Sequence, residues 1–133
     1  MSQTLVRRAL ESAINTWAQA NGQPVQWQNV VLDPEPAAYI RVFLLPAQTE
    51  APDIQQAGRS YSGLLQVSIV RPIGEGPAAA EALAASLSSA IGMRQTSGGV
   101  TVELLQPLSP AAAVNEPGRY VVPCSAGYSA TVY

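Results

Sequence analysis

The chain has 133 residues, the size of one domain, and 47% of them are apolar, which is enough for a buried core. Only 12% are charged, about half the usual share, and the net charge of −2 argues against a nucleic-acid-binding protein. All seven basic residues are arginines, which are enriched at protein interfaces, although a GC-rich genome would produce the same bias. We therefore expect a single domain over residues 1–133 whose surface is partly covered by a partner.

The first two elements are predicted to be an amphipathic helix and a short strand. Within residues 3–20, apolar side chains recur at the spacing of one helical face, at Val6, Leu10, Ala13, Ile14 and Trp17. Within residues 24–32, Val25, Trp27 and Val31 fall at alternating positions, which predicts a strand that ends before two prolines.

A long hairpin is predicted next. Residues 39–45 (YIRVFLL) form a strand with two apolar faces, which favours a central place in the sheet or a place against a partner. Residues 61–69 alternate between apolar and polar side chains and predict a half-buried strand. The connection over residues 46–59 is long, and such loops are usually functional or disordered. We expect the two strands to be antiparallel neighbours.

The second half predicts a helix and two more strands. Residues 77–91 form a slim, alanine-rich helix that follows a Gly-Glu-Gly turn. Residues 100–104 and 120–132 alternate as strands. The complete order predicts an α+β fold, with a mostly antiparallel four- to five-stranded sheet and two helices packed on one face.

The residue types exclude most catalytic chemistry. Without histidine, Ser-His-Asp and Cys-His arrangements are impossible, and zinc binding is disfavoured. Cys124 lies on the apolar side of its strand and is expected to be a small buried hydrophobe. The acidic pairs Asp33/Glu35 and Glu50/Asp53 are expected to be solvated loop carboxylates. We predict no enzyme, no catalytic residue, no cofactor and no metal.

Several segments carry a resemblance to a known family. They are, in order, RALESAINTWA, PVQWQNVVL, PAAYIRVFLLPAQTEAP, YSGLLQVSIVRPIGEGPAAAEALAASL and TSGGVTVELLQP. Together they resemble phage tail terminator-like proteins, small proteins similar to the tail terminators of long-tailed phages. The resemblance runs from Leu5 to the C-terminus. Its segments are structural and contain no catalytic signature.

The resemblance implies a virion structural protein of the tail, and the sequence leaves open whether its gene belongs to a phage, a prophage or a domesticated tail-like particle. It implies a ring-shaped homo-oligomer, expected to be a hexamer, on the head-proximal end of the tail tube. The ring would end tube polymerisation and take part in head–tail joining. Its expected partners are other copies of itself, the tail tube protein and a head-completion or neck protein, and DNA would pass through without specific binding. The chain shows no signal peptide or membrane span, so we expect synthesis in the host cytoplasm.

The candidate interface lies in and around the 46–59 connection. Its residues are Arg41, Phe43, Gln48, Glu50, Asp53, Arg59 and Tyr61. The reasons are the length of the connection and the presence of arginine in a chain with little charge, although a mobile surface loop explains the same pattern.

Two other functions remain open from the sequence. The first is a neck or head-completion connector, which has the same structural character but a different partner. The second is a small ligand-binding module, which would need an apolar pocket between the 77–91 helix and the sheet.

Overall fold

The computed structural model describes residues 2–32, 35–50, 59–97 and 100–132, and for residues 2, 3, 47–50, 59, 97, 131 and 132 it describes the backbone only. Two helices and eight strands lie within these ranges. In chain order they are α1 (Ser2–Ala20), β1 (Val25–Gln26), β2 (Tyr39–Glu50), β3 (Arg59–Pro72), α2 (Ala78–Ala90), β4 (Arg94–Ser97), β5 (Val100–Leu104), β6 (Ser109–Pro110), β7 (Val114–Glu116) and β8 (Arg119–Val132).

The strands form one mixed sheet in the order β1-β2-β3-β8-β5-β4, with β6 and β7 paired to β8. The β1–β2 pair is parallel and the other pairs are antiparallel. The sheet curls into a half-barrel. The predicted α+β class is confirmed, but the prediction of a four- to five-stranded, mostly antiparallel sheet is wrong, because the described residues form a curled, mixed sheet of eight strands.

The additional strands are short and depend on their neighbours. β4 has the sequence RQTS and pairs with β5, while β6 and β7 add two and three residues to β8. None of them shows the apolar alternation that marks a half-buried strand, because they lie at the sheet's periphery and expose most of their side chains.

The predicted 24–32 strand is wrong beyond its first residues. β1 ends at Gln26, and the chain then turns through Asn29, whose φ is 63°. The Val30 N–H donates to the Trp27 carbonyl at 3.0 Å, which closes this turn. Val31 is 83% exposed, so its place in the alternation reflects a surface loop and not a buried strand face.

Both predicted helices are confirmed, and they pack against the same face of the sheet. α2 buries Ala80, Ala84 and Leu87 in the core that α1 also joins, so these side chains fill the place where a ligand-binding module would need a pocket. The Trp17 indole N–H of α1 donates to the Ser86 hydroxyl of α2 at 3.0 Å and links the two helices. No helix in the described ranges has the length and apolarity needed to cross a bilayer.

The centre of the sheet is the β3–β8 pair, whose register runs from Arg59↔Val132 to Pro72↔Arg119. Gly63 faces Tyr128 across this pair, and a Cβ at Gly63 would lie 2.4 Å from the Leu45 carbonyl oxygen and 2.7 Å from the Tyr128 hydroxyl. Only a glycine leaves room for the tyrosine ring, which is fully buried.

The predicted hairpin of β2 and β3 is confirmed, but its strands are longer than expected. Residues 46–50 belong to β2 and residue 59 to β3, and the rest of the predicted connection, 51–58, lies outside the described residues. The ladder continues past an irregularity between Pro46 and Gln48. β2 is not central, because its outer neighbour is only the two-residue β1.

Candidate assembly surface

The face of the sheet away from the helices, here called the outer face, carries an apolar row. Leu45 of β2 pairs with Leu64 of β3, which pairs with Gly127 of β8. The missing side chain at Gly127 makes room for Leu105, whose Cδ1 lies 3.2 Å from the position a Cβ would take. The apolar row therefore consists of Leu45, Leu64 and Leu105. Leu45 is 45% exposed and Leu105 is 63% exposed.

Three Leu-Leu pairs explain this row. Successive side chains in a strand point to opposite faces, so only one leucine of each pair can enter the core. Leu44, Leu65 and Leu104 are buried, and each leaves its partner on the outer face or just beyond the strand. The sequence analysis did not single out these pairs, although the doubled leucines were the signal that could have located the row.

A cavity of about 480 Å³ adjoins the apolar row. It lies between the 26–32 turn and the outer face of β2, where Phe43 lines it. Val30 and Val31, on the turn, line it from the other side and are 48% and 83% exposed. The outer face thus presents apolar side chains from the turn to the apolar row.

A charged network closes the other end of this cavity. Both terminal nitrogens of Arg41 donate to the Glu116 carboxylate at 3.0 Å, and Arg41 also donates to the Tyr39 hydroxyl at 3.2 and 3.3 Å. The Tyr39 hydroxyl donates to Glu35, which also pairs with Arg119, and Arg119 lies 3.7 Å from Glu116. Two arginines and two glutamates make this network neutral.

The network shifts the ionisation of its members. The hydrogen bonds from Arg41 lower the pKa of Glu116, and the same contact raises the pKa of Arg41. Burial raises the pKa of Tyr39, and its hydrogen bond to Glu35 acts in the same direction. At neutral pH these pKa shifts keep Glu116 and Arg41 charged and Tyr39 neutral, which stabilises the ion pair and its hydrogen bonds.

The predicted interface residues lie in different places. The Arg41 guanidinium is engaged in the charged network, Phe43 lies on the outer face, and Tyr61 is only 8% exposed, within the core. In the ladder, Gln48 pairs with Ser62, Glu50 with Ser60 and Arg59 with Val132. Asp53 lies outside the described residues. The assignment of these residues to an interface stays a prediction.

The free edge of β2 is protected near the apolar row. The Leu44 N–H points out of the sheet edge, and the Gln28 side-chain oxygen accepts its hydrogen bond at 3.0 Å. Pro46, two residues along the same edge, has no N–H. Both features hinder another strand from extending the sheet at this point.

The one thiol of the chain is inert. Cys124 is 1% exposed, and burial raises its pKa to about 11, so the thiol is protonated at neutral pH. The expectation of a small buried hydrophobe is confirmed. Within the described ranges, no three acidic or cysteine side chains gather where they could hold a metal ion.

Comparisons with known proteins bear on the family to which the chain belongs. The family model described as phage tail terminator protein matches residues 5–128. One solved structure is 35% identical, covers 100% of this chain and 98% of its own, and superimposes with a TM-score of 0.82. Another, from the virion of a native gene transfer agent particle, is 18% identical over 98% of this chain and 97% of its own, with a TM-score of 0.67, and shares the fold. No curated protein matches in sequence. The chain belongs to the phage tail terminator family, a family of structural, non-enzymatic proteins of the virion tail.

Proposed function

We propose that the protein forms a ring, expected to contain six subunits, on the head-proximal end of a phage-type tail tube. The ring ends polymerisation of the tail tube protein and provides the surface to which a head-completion or neck protein docks. Family membership supports this role. The likeness in fold to a chain from a gene transfer agent virion agrees with it.

The apolar row on the outer face is the observation that carries the proposal. Soluble monomers rarely leave contiguous apolar patches uncovered, and such patches mark contacts with other proteins. Here three leucines from distant parts of the sequence meet on one sheet face, next to Phe43 and the exposed Val30–Val31 turn. We assign the apolar row to the contact with the tail tube protein.

A closed ring places a further demand on the subunit. Head-to-tail contacts are heterologous, so each subunit needs two different surfaces for its two neighbours in addition to its surface for the tube. The outer face and the helical face differ in chemistry, since the first carries a row of leucines and the second carries polar side chains on α1 and alanines on α2. This difference is compatible with separate roles in tube binding and ring closure.

The mass of the purified protein tests the proposal. Light scattering is carried out on the protein alone and on mixtures with short tail tubes and with head-completion proteins. A ring alone, or tubes of fixed length with added mass at one end, is expected. A protein that ignores tubes and binds only head-completion proteins would instead be a neck connector, and a monomer that binds neither would contradict the proposal.

A further inference from the structure

The two helices carry the only charged side chains without an ion pair in the part of the chain whose side chains the structure describes. Five arginines there are paired with glutamates, and these are Arg7, Arg41, Arg71, Arg94 and Arg119. Arg8 on α1 and Glu81 on α2 are exposed and unpaired, and they have opposite signs.

Helix geometry directs Arg8 away from its own subunit. Val6 and Leu10 are buried in the core, two residues before and two residues after Arg8. At 3.6 residues per turn, each lies about 160° around the helix from Arg8. Beside Arg8 on this surface, Thr4, Ser12 and Asn15 are exposed, polar and uncharged. Arg7 and Glu11 line the same groove, but they pair with each other at 3.2 Å. This side of α1 is therefore a polar surface with one unpaired positive charge.

Glu81 lies on the flank of α2 that faces away from α1. Ser86 marks the flank toward α1, because its hydroxyl accepts the Trp17 hydrogen bond. Five residues separate Ser86 from Glu81, which places them about 140° apart around the helix. Ala78 and Ala85 are exposed on the adjoining surface, where their small side chains allow another helix to approach closely.

We propose that the outward side of α1 of one copy packs on the far flank of α2 of the next copy, with Arg8 paired to the neighbour's Glu81. This inference rests on the proposed ring and assigns its subunit–subunit seam. The contact is heterologous, since it joins two different surfaces, as a closed ring requires. Its charge complementarity fixes the orientation of neighbouring subunits more than it adds affinity. The apolar row stays free for the tube.

Charge reversal tests the seam by analytical ultracentrifugation of the full chain at low salt. Arg8→Glu and Glu81→Arg are each expected to raise the midpoint concentration of ring formation about tenfold, because each places like charges across every seam. The double variant has the wild-type net charge and is expected to restore assembly. Asn115→Asp, an exposed change of charge on β7, serves as the control and is expected to have no effect. If a reversal unfolds the chain, Arg8→Gln and Glu81→Gln replace it.

The outcomes separate this inference from the proposed function. Rings that form equally well in both single variants would overturn the seam and leave the ring intact. A double variant weaker than both single variants would also overturn it. Single variants that assemble normally but no longer cap tubes would assign these helices to the tube. A wild-type protein that never assembles, even on tubes, would overturn the ring and the seam together.

Discussion

Replacing Leu105 by glutamate should weaken tube capping without unfolding the subunit. Leu105 is 63% exposed in the isolated chain, so most of its apolar area can still be buried by a partner. Full burial of a leucine is worth about 1.5–3 kcal/mol, and the exposed share corresponds to about 1–2 kcal/mol. That is about 5–30-fold in the binding constant for each subunit contact, and burial of a carboxylate adds a further cost.

The assay measures the concentration of protein that caps half of a fixed number of tail tubes, with tube length read by electron microscopy. Ile73→Glu is the matched control, because Ile73 is 57% exposed but lies just after the end of β3, nine residues from Leu64. At about 3.3 Å per strand residue, this distance is about 30 Å. The free energy of unfolding of both variants should lie within about 0.5 kcal/mol of the wild-type value, since both sites are at the surface.

The comparison between the two variants tests whether the apolar row contacts the tube. Capping should be lost only in Leu105→Glu if the apolar row contacts the tube. Equal capping by both variants and the wild type would show that the row is not an assembly surface. An equal loss in both variants would show that added negative charge, and not the apolar row, governs capping.

Three further predictions concern the stability and packing of a single subunit. Gly63→Ala should lower the free energy of unfolding by about 2–3 kcal/mol, since the new methyl group would lie 2.4 Å from a backbone oxygen. Gly92→Ala is the control, because the nearest atom to its new methyl group is 3.6 Å away, and it should change this free energy by less than about 1 kcal/mol. Urea titrations measure both values. Arg41→Gln should lower the free energy of unfolding by about 1 kcal/mol at neutral pH, after allowance for solvent screening, and should make that free energy depend less on pH in the acid range. Because the pKa of Glu116 in the folded protein lies below its ordinary value of 4.5, its ion pair adds stability above pH 4.5 that is lost as the pH falls through the folded pKa. Urea midpoints between pH 3 and 7 that depend on pH as steeply in Arg41→Gln as in the wild type would contradict this. Cys124 should react with a thiol reagent only at the rate of unfolding, and rapid labelling of the native protein would refute its burial.

The elements with a strong local pattern could be predicted from the sequence. Both helices and the four long or alternating strands bury one regular face, so the spacing of apolar residues is visible within each segment of the sequence. The short strands β4, β6 and β7 have no such face, since they are extended only because β5 and β8 offer them hydrogen-bonding partners. The β2–β3 hairpin was predicted too short because Pro46 read as the start of a loop, whereas the strand continues past an irregularity there.

The assembly surface depends on contacts that sequence spacing does not reveal. Arg41 and Glu116 are 75 residues apart, and Glu35 and Arg119 are 84 residues apart. Arginine was expected to mark an interface, yet the Arg41 guanidinium is satisfied within its own chain. The leucines of the apolar row were more informative, because a doubled leucine in a strand cannot bury both side chains on one face.

The pairing of charges agrees with the expectation, drawn from the family resemblance, that DNA passes through the ring without specific binding. Affinity for the phosphate backbone grows with the number of cations that neutralise phosphates. In the part of the chain whose side chains the structure describes, Arg8 is the one arginine without a glutamate partner. In the proposed seam, the neighbour's Glu81 pairs with this arginine as well. Ring closure would then leave none of the described guanidinium groups free for phosphate, so the same contact that joins the subunits would keep the assembled ring from holding the DNA that passes through it.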